Sequence, residues 1–401
     1  MAESATAINE SGFGHNEQRR ERNQAAMSTK NPISRLTIKG FKSIKSLEDL
    51  HLGSLNVLLG ANGAGKSSFV SYFRMLSEMM ELRLKKWTTQ QGSADRVVSF
   101  GVKETQRISS YVHFGLNGYE FELEPTVEGD FVFSNERLFF DGPMYGSEWI
   151  PLGSGHQETK LKKAYELKKF QAPYKNNVVA YCYESISSWK VFHFHDTSET
   201  ASVKRYGPAH IDDYLRPDAS NLAAYLHRLS TETPEVYEQI RKTIQLAIPF
   251  FDDFVLKPVR LDTQEELINL QWRQKDSDYT FWPSQLSDGS IRFICLVTAL
   301  LQPDPPSTII IDEPELGLHP YAITLLGSLL RSASARMQVL VSTQSVPLVN
   351  EFSIDDLIIV EREKGATVFK RLDEEAFETW LDDYSVGELW EKNILGGRPR
   401  K

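Results

Sequence analysis

GANGAGKSS, Gly60 to Ser68, stands between the apolar run SLNVLLG and the amphipathic run KSSFVSYFRMLSEMMELRLKKW. It meets the spacing G-x-x-x-x-G-K-[ST] in full, and its flanks supply the context that spacing requires, one strand before and one helix after. Phe69, Phe73, Leu76 and Met80 recur at helical spacing, which gives the helix one apolar face. Glycines at 60, 63 and 65 let backbone N–H groups turn towards phosphate oxygens, and the helix N-terminus adds partial positive charge. Lys66 is then placed to reach the β- and γ-phosphates of a nucleotide, and Ser67 to ligate Mg²⁺.

Around this loop the chain has the composition of a globular protein. Its 401 residues are 41% hydrophobic, enough for two or three units with real cores. No run of eighteen apolar residues is present, and the N-terminal stretch lacks the apolar segment of a secretory signal, so a cytoplasmic location is expected. Two cysteines, Cys182 and Cys295, are too few for a disulfide framework and are expected reduced and buried. A net charge of -9 excludes a surface uniformly coated for nucleic acid and leaves only local basic strips for phosphate.

The pattern divides the chain into five parts. Residues 1–32 are polar and expected to be a disordered arm. Residues 33–150 form the first part of the lobe that carries the loop, and from about residue 95 onward they alternate as antiparallel strands broken by Asn-Gly, Glu-Gly-Asp and Asp-Gly-Pro turns. Residues 151–217, with the Lys-rich TKLKKAYELKKF and the aromatic YCYESISSWKVFHFH, read as an insertion. Residues 218–305 read as a helical subdomain, its second helix opening at Pro234. Residues 306–401 alternate apolar strands with helices, which predicts a largely parallel, buried sheet. The fold class expected is α/β, a mixed, largely parallel sheet with an antiparallel β region and a helical subdomain.

Two further motifs carry chemistry. STIIIDEPE, Ser307 to Glu315, is a β-branched strand ending in Asp312 and Glu313. In parallel α/β sheets ligands sit at the C-terminal edge, where Asp312 can hold Mg²⁺ and Glu313 can take a proton from an attacking water. QLSDGSIRF, Gln285 to Phe293, opens a helix whose N-terminus carries Ser287, Gly289 and Ser290. Such a terminus is an anion site, and its distance in sequence from the Gly-rich loop points to a phosphate held by another subunit. Capping chemistry alone leaves ordinary N-capping by Ser287 or Asp288 equally open.

GFKSI, GANGAGKSS, LSDGS and IIIDEPELGLHP occur in this order, and the set resembles ATPase heads of the ABC superfamily, most of all the SMC/RecF-like and OLD-like branch of AAA-family ATPases. The resemblance implies a P-loop NTPase of the ABC/RecF head type. It also implies that Gly60, Asn62, Gly63, Ala64, Gly65, Lys66, Ser67 and Ser68 hold the phosphates, Asp312 the Mg²⁺, and that Glu313 is the catalytic base. Ser287 and Gly289 then form the signature that meets the γ-phosphate of ATP held by a partner copy, so that two ATP molecules are sandwiched in a homodimer. Leu316 to Pro320 matches the loop lining the dimer axis, and His319 within it is expected to do no more than start a helix.

In VLVSTQS, Gln344 stands at the switch position where ABC transporters usually carry His; it can hydrogen-bond the γ-phosphate or the water but carries no proton, which implies slow turnover without an activator. Gln91, or its neighbour Gln90, is the best position for the glutamine that senses γ-phosphate and Mg²⁺. His193 and His195 in HFHD share one strand face and are expected to be structural, since no third metal ligand follows at a fitting spacing. Lys160, Lys162, Lys163, Lys168 and Lys169 form the densest basic strip, either a solvated helix face or a DNA contact. Asp382 and Asp383 are too isolated for a nuclease site.

The function expected is an ATP-gated dimeric ATPase acting in DNA repair, recombination or anti-phage defence, with cleavage, where required, left to a separate effector protein. A weakly hydrolysing clamp or scaffold is the principal alternative. A small-molecule kinase would not need LSDGS, and nothing favours the ATPase of a membrane transporter.

Overall fold

The computed structural model describes residues 32–142, 146–260 and 265–397. The expected N-terminal arm lies outside them except for Pro32. The framework is a six-stranded sheet in the order Ala366–Arg371, Leu357–Glu363, Leu55–Leu59, Gln338–Thr343, Thr308–Asp312, Lys190–Phe192. The last five run parallel, and Ala366–Arg371 closes one edge as an antiparallel hairpin partner.

Every residue of Leu55–Leu59, Thr308–Asp312 and Gln338–Thr343 is buried, as expected of strands covered on both faces. The twofold alternation of strand side chains then builds two cores. Val57, Ile309, Ile311, Val339, Val341 and Ile359 face one of them, made with the helices Leu222–Glu232, Pro234–Ala247, Asp288–Leu301 and Pro320–Ser334. Leu58, Ile310, Leu340, Ile358 and Val360 face the other, made with the P-loop helix Lys66–Met80 and an antiparallel sheet.

That second sheet follows the sequence pattern closely. Its order is Ile44–His51, Arg35–Phe41, Ile108–Phe114, Asn117–Pro125, Phe131–Gly142, Gly146–Gly153, antiparallel throughout. Glu136 is its one fully buried carboxylate among the described residues. It accepts hydrogen bonds from the Tyr119 hydroxyl at 2.7 Å, the Lys160 amide at 2.9 Å and the Thr159 hydroxyl, with the His156 ring 2.8 Å away. The chain leaving the sheet at residues 156–160 is thereby fixed to it.

Residues 151–217, expected as an insertion, are tied to the main sheet by one short strand. After the helix Pro173–Ser188 the strand Lys190–Phe192 joins the main sheet, Ile310 opposite Val191 and Ile311 opposite Phe192. Three residues are too short for a periodicity signal, which is why the sequence pattern passes over them. Residues 218–305 are also more than helical. They add a small sheet of Phe251–Val255, Gln271–Gln274 and Thr280–Phe281, packed on Trp272, which stacks on Phe281 with ring centroids 4.7 Å apart. Among the described residues no helix is long and apolar enough to cross a membrane.

Integration of the short strand is testable. Phe192 is fully buried, so Phe192→Ala should lower unfolding stability by about 3–5 kcal/mol in denaturant titrations. A loss below about 1 kcal/mol, within the range of surface substitutions and mild repacking, would place the strand outside the core.

Candidate functional site

The strand Leu55–Leu59 runs into Gly60, and the helix begins at Lys66. Gly65 has φ +111°, and a Cβ there would collide with the Thr367 hydroxyl, so both backbone and space demand glycine. Thr367 lies 3.0 Å from the Ala64 carbonyl oxygen and 2.7 Å from the Ser43 hydroxyl, which in turn lies 2.8 Å from that of Ser68. The loop is therefore braced from outside by the hairpin containing GFKSI and by the sheet's edge strand. Lys66 is 5% exposed and donates to the Gly60 carbonyl at 2.7 Å and the Ala61 carbonyl at 3.3 Å. Burial lowers its pKa from the usual lysine value, while the nearby Glu313, Asp312 and Glu315 carboxylates oppose that fall.

The acids stand at the end of Thr308–Asp312, two places along the sheet from Leu55–Leu59. Asp312 ends Thr308–Asp312, pairs in register with Ser342, and accepts a hydrogen bond from the Ser342 hydroxyl. Glu313 has φ +44°, a left-handed conformation rare for a residue other than glycine, and its N–H donates to the Ser342 carbonyl at 2.9 Å. Backbone strain of this kind at a strand end gathers at working sites. Glu315 accepts from the Thr343 hydroxyl at 2.6 Å and the Gln344 amide at 3.4 Å, and burial pushes its carboxyl above the usual range. It fixes the loop that carries Gln344, a role the sequence reading did not assign.

Ser67, Asp312, Glu313, Lys42, Arg74, Gln91, His193 and His195 line one cleft of about 390 Å³. Gln91 thus lines the same cleft as Ser67 and Asp312, and accepts a hydrogen bond from the Lys42 ammonium at 2.9 Å, whereas Gln90 lines two other cavities and not this one. The cleft fits a hydrated Mg²⁺ with triphosphate: a hydroxyl, two carboxylates and cationic side chains converge at the mouth of a phosphate loop. Ser67 and Asp312 would hold the ion, which would neutralise phosphate charge. Gln344 is half-buried and does not line this cleft.

Ser287 and Gly289 lie elsewhere. Ser287 caps the helix Asp288–Leu301, accepting from the Ser290 N–H at 3.1 Å, and is exposed. No hydrogen bond among the described residues joins this turn to Gly60–Ser68 of the same chain. Gly289 packs directly on Gly317, whose carbonyl oxygen a Cβ would strike. One turn further along, buried Arg292 donates to the Leu316 carbonyl, to that of Phe194 at 2.9 Å and to that of His195 at 3.3 Å. Arg292 was also not singled out from the sequence, because an arginine amid an apolar helix gives no sign of which carbonyls it will meet.

His319 caps the helix Pro320–Ser334, accepting from the Tyr321 N–H at 3.3 Å, as expected of a helix-start residue. The lysine strip is split: Lys160 and Lys162 are half-buried, Lys162 lies 3.9 Å from Glu81, and Lys163, Lys168 and Lys169 are exposed. Asp382 and Asp383 are exposed after the short helix Glu378–Leu381. The HFHD histidines correct one expectation. Asp312, distant in sequence, brings a carboxylate beside His193 and His195, so a third group of metal-ligating type is present in space although none follows in sequence.

A family model described as "AAA domain, putative AbiEii toxin, Type IV TA system" matches residues 55–350. Among solved structures, an SMC head bound to the C-winged helix domain of ScpA is similar at 12% identity and TM-score 0.54, covering 86% of this chain and 99% of that one. A Pyrococcus furiosus SMC head with an extended coiled coil, bound to the C-terminal domain of ScpA, is similar at 14% identity and TM-score 0.50, covering 88% and 99%. These likenesses show the fold, that of an SMC head domain. No curated protein matches the chain.

The Gly289–Gly317 contact predicts its own test. Gly289→Ala should cost about 1–3 kcal/mol through overpacking, even though alanine is the better helix former. Ser287→Ala should cost about 1 kcal/mol through the lost cap. Denaturant titration of both variants measures the difference, and a neutral or stabilising Gly289→Ala would refute the close approach.

Proposed function

We propose, because this chain belongs to the AAA-domain family whose model it matches over residues 55–350, that it binds and hydrolyses ATP between two copies of itself. The observation that carries the proposal is a division of the motifs. Ser67, Asp312 and Glu313 line one cleft, while exposed Ser287 and half-buried Gly289 are not among its lining residues. A signature turn with free helix-terminal N–H groups can then meet a γ-phosphate only on another copy. Lys66 would cover the phosphates, Ser67 and Asp312 would hold Mg²⁺, and Glu313 would accept a proton from the attacking water.

Binding of nucleotide and pairing of subunits would be linked equilibria, each strengthening the other. Gln344, which accepts no proton from the water, favours slow turnover, so a clamp that hydrolyses little and governs a separate effector is the second reading. The similar SMC heads, each bound to a domain of ScpA, support a protein partner for this head as well. The family's putative toxin–antitoxin association favours defence over repair. DNA contact, if made, would fall to Lys163, Lys168 and Lys169, the exposed members of the lysine strip.

Light scattering of Glu313→Gln, with and without ATP and Mg²⁺, tests the sandwich. ATP should double the mass, and both Ser287→Arg and Lys66→Ala should abolish the doubling, the first while ATP still binds the monomer. ATP binding with no change of mass in the Glu313→Gln protein would overturn the dimer.

A further inference from the structure

We propose that His193, His195 and Asp312 form a binding site for a transition-metal cation of the Zn²⁺ or Co²⁺ kind, set against the nucleotide cleft. The strand Lys190–Phe192 runs parallel to Thr308–Asp312 with Phe192 opposite Ile311, so the next step along both chains brings His193 level with Asp312. Each of the three residues offers one ligand atom, and all these atoms lie within 4.8 Å of one another. Ligands around a tetrahedral Zn²⁺ are roughly 3.3 Å apart, a contraction that modest side-chain rotation supplies.

The surroundings are those of a prepared ligand set. The His195 Nε2 lies 2.9 Å from the Asp312 carbonyl oxygen, and only as a donor can it bond there, which leaves Nδ1 as the lone-pair nitrogen. A ligating imidazole typically donates its other N–H to a carbonyl in this way. The backbone on either side is pinned: the His193 N–H donates to Pro217 O at 3.1 Å, and Arg292 holds the Phe194 and His195 carbonyls. His193 is exposed, which gives an ion access.

Two imidazoles select against Mg²⁺, which takes oxygen ligands in an octahedron, and in favour of Zn²⁺, Co²⁺, Ni²⁺ or Cu²⁺. Lys42 and Arg74 line the same cleft, so net charge does not draw the ion in. Directed lone pairs do. Asp312 is shared with the Mg²⁺ position proposed above, and filling the histidine site would therefore compete with Mg²⁺·ATP. This competition rests on the ATPase reading; metal binding itself does not.

The experiment uses the full chain without nucleotide, titrated with Co²⁺ in excess Mg²⁺ and followed by visible d–d absorption. We expect one Co²⁺ per chain, displaced by Zn²⁺. Affinity should fall at least about tenfold in His193→Ala and in His195→Ala, the lower end of what loss of even an outer-shell partner costs a metal site. His193→Gln and His195→Gln, with metal-free thermal melts, decide the matter should an alanine variant fail to fold. Absence of saturable absorption, or equal affinity in wild type and folded histidine variants, would overturn the site. A parallel titration of Mg²⁺·ATP at saturating Zn²⁺ separates the two proposals. If ATP never binds, the ATPase reading falls while the Co²⁺ result stands; if ATP binds equally with and without Zn²⁺, the shared-Asp312 competition falls.

Discussion

The parallel register between Thr308–Asp312 and Gln338–Thr343 is the constraint on which the site depends. Asp312 lies opposite Ser342 because every preceding pair, from Thr308 with Gln338 onward, is hydrogen-bonded in step. The same sheet aligns Leu59 with Thr343 and so delivers the phosphate loop to the same edge. Shifting one strand by a residue would exchange the two cores at that strand, since Ile310 and Leu340 face one side and Ile309, Ile311, Val339 and Val341 the other. Hydrophobic burial on both faces therefore fixes a polar geometry at the strand ends.

Much of this was legible in the sequence, for a physical reason. The P-loop and the Asp312–Glu313 pair are local: their residue types, spacing and flanking strand or helix lie within a few residues of one another. The two-sided burial of STIIIDE and QVLVSTQS was equally open, because parallel strands write it as continuous apolar runs. What escaped were contacts between distant segments. Thr367 against Ala64, Arg292 against Leu316 and Phe194, and Glu315 beneath Gln344 are each bonds whose partner sits elsewhere in the chain. Lys190–Phe192 escaped because three residues carry no measurable period. The carboxylate beside His193 and His195 comes from the adjacent strand, a neighbour that no spacing along the sequence reveals.

The signature turn and the Leu316–Pro320 loop are one mechanical unit. Gly289 touches Gly317 and Arg292 bonds the Leu316 carbonyl, while Glu313, only a few residues earlier, follows Asp312 at the cleft. Motion of the helix Asp288–Leu301 is carried to the end of the strand bearing the acids, because close-packed interiors are barely compressible and transmit strain. Arg292 extends this linkage to the backbone of His195, so three segments far apart in sequence share one guanidinium.

The bracing of the phosphate loop by Thr367 has a consequence for the chain during its synthesis. The bond between Thr367 and Ser43 spans 324 residues, and the Ile33 amide reaches Gln338 across 305. A ribosome emits the GANGAGKSS loop long before the edge strand that shapes it, and domains settle from the N-terminus as they emerge. An unfinished chain thus carries the nucleotide motif without its outer support, and the head acquires its competent loop only after the strand bearing Thr367 has left the tunnel.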